Sequence, residues 1–555
     1  MRKTKTYLAM LMAVMMVGSS LAGCGLSSDD GNSNGKNDEA ASDNQTADVD
    51  SYINCILNGE PSTLDIAKFT QVYDRTVMQN MLEPLTRVQD GEVVAAGAKE
   101  WTVSADGLVY TFTLQDNHWS DGEPVTAEDY LYALQREADP ANAWPMAADM
   151  YSIVNFEDIF SGNTDVSQLG VEAPDDKTLV ITLATPDSSF LSNVDLFPCR
   201  KDYVEKYGDS YGSDADKVIS CGPFSLKEWV HDSSLTFEKN EEYWDKDSVQ
   251  LSKFTFYVMN DINARMSSFE NGSLDYVNVS NSEYIQKFSS DSSLVSEPVS
   301  AGRTFMIVFN CEDEVFANEK IRLAFSLALD RETMAEIITG GTGVAATGLI
   351  PPESSVGTYN FREEAGDVMG KLQKENTDLK ALLLEGMKEA GLGTDPSALN
   401  VKFSWGATTA DARTYSELVQ KMWKDTLGVN VELEFNDTAT HMSNINSGDY
   451  QCASTSWGAN LEPLFLLSRW ANKKGGQSRW VNSDYTELVY SGKAESDDAK
   501  RLEEYIEAED MLISSGAIAP CYWTGSIRFS YDYVKNFSDN VFDTTGMKYM
   551  YTSGR

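Results

Sequence analysis

From Tyr52 onward, apolar residues recur along the chain at two spacings that take turns. "SYINCILNG" (51–59) is a short apolar run closed by Asn58-Gly59, the pattern of a buried strand ending in a turn. "TVMQNMLEPL" (76–85) sets Val77, Met78, Met81 and Leu82 at helical spacing ahead of Pro84, a residue that removes a helical N–H and stops the run. "VYTFTLQD" (109–116) and "KTLVITLATP" (177–186) alternate apolar and polar positions with β-branched and aromatic side chains, as half-buried strands do. Residues 217–244 read as a strand, a Gly-Pro turn, a second strand and a hairpin. Helices are predicted over "NEKIRLAFSLAL" (318–329), "DLKALLLEGMKEAG" (378–391) and "RTYSELVQKMWKDTLG" (413–428), and strands over "NVKFSW" (400–405) and "VNVELEF" (429–435). The whole is an α/β chain without a short internal repeat.

The first 50 residues follow another pattern. Arg2, Lys3 and Lys5 precede an apolar run from Tyr7 to Val17, the length of a signal-peptide core and too short to span a bilayer comfortably. It ends in "LAGC" (21–24), which resembles the lipobox of bacterial lipoproteins. That resemblance implies cleavage after Gly23, so that residues 1–23 are a signal peptide, and lipidation of Cys24. Residues 25–50 are mostly Ser, Asp, Asn, Gly and Ala, without an aromatic residue, so 24–50 reads as a lipidated cysteine and a disordered stalk. Two or more acyl chains hold a protein at a membrane where one does not, and the folded body is expected outside the cytoplasm.

Charge narrows the partners. With 86 acidic against 44 basic side chains and a formal net charge of -42, the chain lacks the clustered cations that displace counterions from phosphate, and nucleic acid is excluded as a partner. Six cysteines besides Cys24 are widely separated, and there are three histidines. Neither set has zinc-ligand spacing, so no metal or other cofactor is expected; disulfides and buried thiols both remain open for the cysteines.

"HWSDGEPVTAEDYLYALQR" (118–136) gathers a histidine, a serine and carboxylates, yet its local chemistry is structural. Asp121-Gly122 and Pro124 form a turn, and Thr126 with Asp129 has the form of a capping box before a helix whose apolar side carries Tyr130, Leu131 and Leu134. A catalytic triad is assembled from distant segments, and this stretch does not mark one.

The longer block from Trp101 to Arg136 resembles the signature region of the family 5 extracytoplasmic solute-binding proteins, which include the oligopeptide- and dipeptide-binding lipoproteins of bacterial ABC transporters. "GEPSTLD" (59–65), "CGPFSLKEW" (221–229), "NEEYW" (240–244), "FANEKIRLAFSLALDRE" (316–332), "ATGLIPP" (346–352), "LLLEGMKEAGL" (382–392), "LGVNVEL" (427–433) and "SWGANLEP" (456–463) continue the resemblance in order. It implies a two-lobed periplasmic-binding-protein-like fold with a hinge and an extra α/β subdomain on the first lobe. The first lobe would be discontinuous (51–85, 200–308 and 525–555), the extra subdomain 86–199 and the second lobe 309–524. The implied function is capture of peptides or peptide-like solutes between closing lobes and delivery to an ABC permease, by a monomer that is not an enzyme.

The resemblance also implies a site. Phe69, Thr70, Val72 and Tyr73 align with cleft-lining positions of the first lobe. Trp457 belongs to the second-lobe motif, backbone groups of Ser456 and Gly458 would bond the ligand main chain, and Trp523 lies where the chain returns between lobes. In the oligopeptide binders an aspartate three residues after the tryptophan pairs with the ligand's amine; here Asn460 stands there, Ser454 replaces an arginine and Thr70 an acid. The charge lost at these positions leaves open an oligosaccharide, an opine-like compound or a metal chelate as ligand. An exported hydrolase is a further alternative, although no pair of carboxylates is marked for glycoside chemistry.

Overall fold

The computed structural model describes residues 47–193, 196–538 and 540–555. Cys24, the expected signal peptide and most of the expected stalk lie outside the described residues. The body begins slightly earlier than the composition indicates: the Asp48 N–H donates to Thr552 O (2.8 Å) and its carboxylate accepts the Gly554 N–H (2.9 Å), tying residues 47–50 to the C-terminus.

Two four-stranded sheets organise the first part of the chain. In one, Tyr52–Leu57 runs parallel to Lys253–Val258, which pairs antiparallel with Ser234–Lys239 and through it with Phe224–Val230. The other orders Ala98–Val103, Val109–Leu114, Thr178–Thr182 and Val171–Asp175. Alternation places Ile53, Cys55, Leu57, Phe112, Leu179 and Ile181 inward. These side chains share one hydrophobic core, which Val534, Met547 and Met550 near the C-terminus complete.

The 118–136 stretch is scaffold within this core. Gly122 has φ +89° and donates to Trp119 O at 2.8 Å, the Asp129 carboxylate accepts the Thr126 N–H at 2.8 Å, and Trp119, Tyr130 and Leu134 are buried. One predicted element is absent. Residues 217–221 form no strand, because the Cys221 and Gly222 N–H groups both donate to Met81 O (2.9 Å), while Ser220 O accepts from Ser120 N (2.7 Å). The segment is stitched to a helix end and a turn. Only glycine allows so close an approach, since a Cβ on Gly222 would sit 2.8 Å from Leu82 O.

A larger sheet orders Tyr276–Val279, Ile518–Tyr531, Leu294–Phe309, Cys452–Gly458, Asn400–Trp405 and Asn430–Phe435. Two of its strands are long, at 16 and 14 residues. At one end they pair Leu294–Ser300 with Gly525–Tyr531, beside a small core of Met266, Phe269, Val277, Phe288 and Phe529. At the other they pair Met306–Val308 with Ile518–Pro520, between two cores formed by the helices that pack on the sheet. The paired strands therefore run from one packed body into the next, with register irregularities between Ser300 and Thr304 and between Phe305 and Met306.

The six described cysteines are free thiols, five of them buried, which decides between the two readings of their spacing for these residues. Among the described residues no helix is long and apolar enough to cross a membrane.

Candidate ligand cleft

The strand Cys452–Gly458 is covered unequally on its two sides. Along one edge it pairs over its whole length with Arg303–Phe309. Along the other, only Cys452 and Ala453 meet a neighbour, Phe403 and Ser404 of the strand Asn400–Trp405. In an extended strand the N–H and C=O of one residue point to the same side and those of the next to the other. Ala459 N donates to Gly302 O (2.7 Å) on the covered side, whereas Ser454 O faces the opposite side and meets His441 Nε2 at 2.8 Å. By that alternation the backbone groups of Ser456 and Gly458 face the open edge, a template for an added strand.

His441 fixes the start of this edge. It is buried on the helix Thr438–Ser447, with Nδ1 3.0 Å from Ser404 Oγ. Burial pushes its pKa below the usual histidine value, so the ring is neutral: Nε2–H donates to Ser454 O, and Nδ1 accepts from the Ser404 hydroxyl.

Each face of the sheet carries its own aromatic groups here. Phe305 lies opposite both Ser456 and Tyr522, stacks on Tyr522 (4.7 Å, 8° between planes) and packs on Trp405 at 5.3 Å. This row continues through Tyr415, 6.3 Å from Trp405, into a cavity of about 670 Å³ lined by Tyr415, Tyr522, Thr524, Ile338, Glu283 and Asp411. On the other face, Trp457 and Trp523 flank Thr304 in register. The Trp457 Nε1–H donates to Gln477 Oε1 (3.0 Å), and Arg469 lies over the rings of Trp457 (4.5 Å) and Phe465 (4.4 Å). Trp523 is buried beneath the Arg362 guanidinium, 5.9 Å from its ring.

The residues singled out from sequence thus fall into three groups. Ser456, Trp457, Gly458 and Trp523 share one sheet. Asn460, just beyond it, lines a separate cavity of about 220 Å³ with Asp149, Asp187, Phe465, Tyr490 and Lys493, and its carbonyl accepts from Ser354 Oγ at 2.9 Å. Phe69 and Tyr73 pack with the first core. Phe69 is buried 5.8 Å from Trp144, and the Tyr73 ring lies against Gly59. Thr70 and Val72 are exposed where the Asp74 carboxylate accepts the N–H groups of Thr70 (3.1 Å) and Gln71 (3.0 Å). Sequence reasoning passed over Phe305, Trp405, Tyr415 and His441, although a run such as "NVKFSW", ending in an aromatic residue, carried a hint of the row.

Beside the smaller cavity, Glu462 is buried 3.5 Å from Arg501, and Oε2 makes no hydrogen bond. Desolvation outweighs Arg501 and pushes its carboxyl up to about 7. A carboxyl with a raised folded-state pKa stabilises the fold fully below the unfolded value of about 4.3, and loses that contribution as pH rises towards 7. Glu462→Gln is therefore expected to remove roughly 2–3 kcal/mol of stability change between pH 4.5 and 7.5. Urea titrations across that range check it; a variant whose pH profile overlays the parent's would contradict the assignment.

The model of bacterial extracellular solute-binding proteins, family 5, matches residues 92–478. The chain is similar to the oligopeptide-binding protein OppA of Bacillus subtilis (strain 168), 30% identical over 535 residues that cover 94% of each protein. Among solved structures it is similar to the murein tripeptide-binding protein MppA in its unliganded open form, with a TM-score of 0.77 at 28% identity, covering 92% of this chain and 99% of that one. It is also similar to Listeria monocytogenes OppA bound to peptide, with a TM-score of 0.67 at 28% identity, covering 91% and 99%. The two bodies joined by long strands are thus the lobes of a periplasmic-binding-protein fold.

Proposed function

Because the chain belongs to family 5 of the bacterial extracellular solute-binding proteins, we propose that it captures peptides along the open edge at Ser456 and Gly458 and encloses them as its lobes close. The open edge carries this reading: a strand whose outward N–H and C=O groups lack a neighbouring strand recognises what all peptides share, their backbone. Side chains of the ligand would enter the cavity beside Tyr415 and Tyr522, which Glu283 and Asp411 also line. Names of relatives, an oligopeptide-binding protein and a murein tripeptide-binding protein, support the same ligand class.

A ligand closes such lobes only by binding the closed form better than the open one. We assign the first lobe to 51–85, 200–308 and 525–555, the extra subdomain to 86–199 and the second lobe to 309–524. Lipid on Cys24 would hold this monomer outside the cytoplasm, where the closed complex passes its cargo to an ABC permease. No catalytic step is assigned to it.

Purified residues 47–555, denatured and analysed by mass spectrometry, are expected to release a mixture of short peptides. A single sugar or chelate in their place would overturn the peptide assignment while leaving the fold and the capture mechanism.

A further inference from the structure

The open edge carries a charge contributed by the neighbouring strand. Between Ser300 and Thr304 the register of the long strand is broken, and Gly302 takes φ +56°. Such a bulge re-aims the side chains beside it. A Cβ on Gly302 would lie 2.7 Å from the Phe542 ring and 2.8 Å from Val541, so this backbone shape is enforced from outside. Arg303 follows directly. Its guanidinium crosses the strand Cys452–Gly458, with Nη1 3.1 Å from Ser456 Oγ and 3.4 Å from Ser456 O, and with Nη2 3.7 Å from where a Cβ on Gly458 would be. It therefore rests on the two residues whose backbone faces the open edge.

Its partners do not match its charge. Arg87, Arg136, Arg362 and Arg528 each reach a carboxylate. Arg303 is exposed, and among the described residues its side chain bonds only to the hydroxyl and carbonyl of Ser456. In a chain with 86 acidic and 44 basic side chains, an arginine beside an open strand edge with no carboxylate is a place for one brought by the ligand. A carboxylate accepts two parallel N–H bonds from the guanidinium fork, which a hydroxyl and a distant carbonyl cannot equal. Release of Ser456 O would at the same time free an acceptor for a ligand N–H.

We propose that Arg303 is a specificity-determining residue that pairs with a carboxylate of the bound peptide, either its C-terminus or an acidic side chain, and so selects anionic over neutral ligands. This rests on the peptide reading above. The test uses the full chain in detergent and three probes in equilibrium dialysis read by mass spectrometry: a mixture of tri- to pentapeptides, the same mixture amidated at the C-terminus, and the amidated mixture lacking Asp and Glu. The first is expected to bind roughly 10- to 100-fold more tightly than the third, and the second tells which carboxylate is read. Arg303→Met should erase that difference by weakening binding of the first mixture. Arg303→Gln, which can keep a bond to Ser456, should erase it equally, so the result does not depend on one variant folding. A preference that survives either substitution in a folded protein, or a parent that binds all three mixtures alike, overturns the role of Arg303 and leaves peptide capture standing. A parent that binds none of them overturns both.

Discussion

Replacing Glu509 by alanine is expected to cost the folded state about 3–5 kcal/mol, the range for breaking a buried ion pair by removing one partner. The carboxylate lies fully buried on the helix Asp498–Ser514. Its Oε1 accepts the N–H groups of Leu349 and Ile350, both at 2.8 Å, and pairs with the Arg362 guanidinium. Arg362 also donates to Ile350 O (3.1 Å) and Gly366 O (2.9 Å). In the alanine variant it keeps those carbonyls and loses its counter-charge, while two buried amides lose their acceptor. The consequence reaches the cleft, because Leu349 O accepts the Thr304 hydroxyl (2.7 Å) and Thr304 stands between Trp457 and Trp523. Urea unfolding followed by tryptophan fluorescence measures the loss. Glu509→Gln should cost less, since an amide oxygen still accepts; a loss below about 1 kcal/mol for alanine would mean that desolvation of the pair cancels its attraction.

The elements most legible in the sequence were those whose local chemistry agrees with their tertiary role. The turn at Gly122, the cap at Thr126 and the strand Asn400–Trp405 needed nothing beyond their own residues. Residues 217–221 misled because β-branched, apolar composition marks burial in an extended conformation, and does not say whether the partner is a strand or, as here, the end of a helix. Of the candidate site, the strand that carries Trp457 was legible as part of a contiguous motif. The aromatic row was not: Phe305, Trp405 and Tyr522 come from three strands and Tyr415 from the helix Ala410–Leu427, and only the tertiary fold unites them. Arg303 is the sharper case. A search for cationic groups within the motif finds Ser454, whereas the guanidinium over the open edge belongs to a residue more than 150 positions away, aimed by a bulge that no spacing announces.

Trp457→Ala is expected to weaken peptide binding roughly 10- to 100-fold while the protein remains folded, in keeping with the weight that buried tryptophans carry at binding surfaces. The indole is half-buried, held by its bond to Gln477 Oε1 and by the Arg469 guanidinium over its ring. Its backbone bonds run to the covered side of the strand, so truncation spares the outward groups of Ser456 and Gly458 and removes the packing that holds them in place. The open protein would still meet its ligand at the parental rate, and the loss should appear mainly in dissociation from the closed complex. Surface-bound protein exposed to a peptide from its own co-purified set reads both rates, with a thermal melt to register any change in stability. An unchanged dissociation rate at an unchanged melting temperature would place Trp457 outside the cleft and leave the Phe305–Tyr522 face as the wall on which the ligand rests.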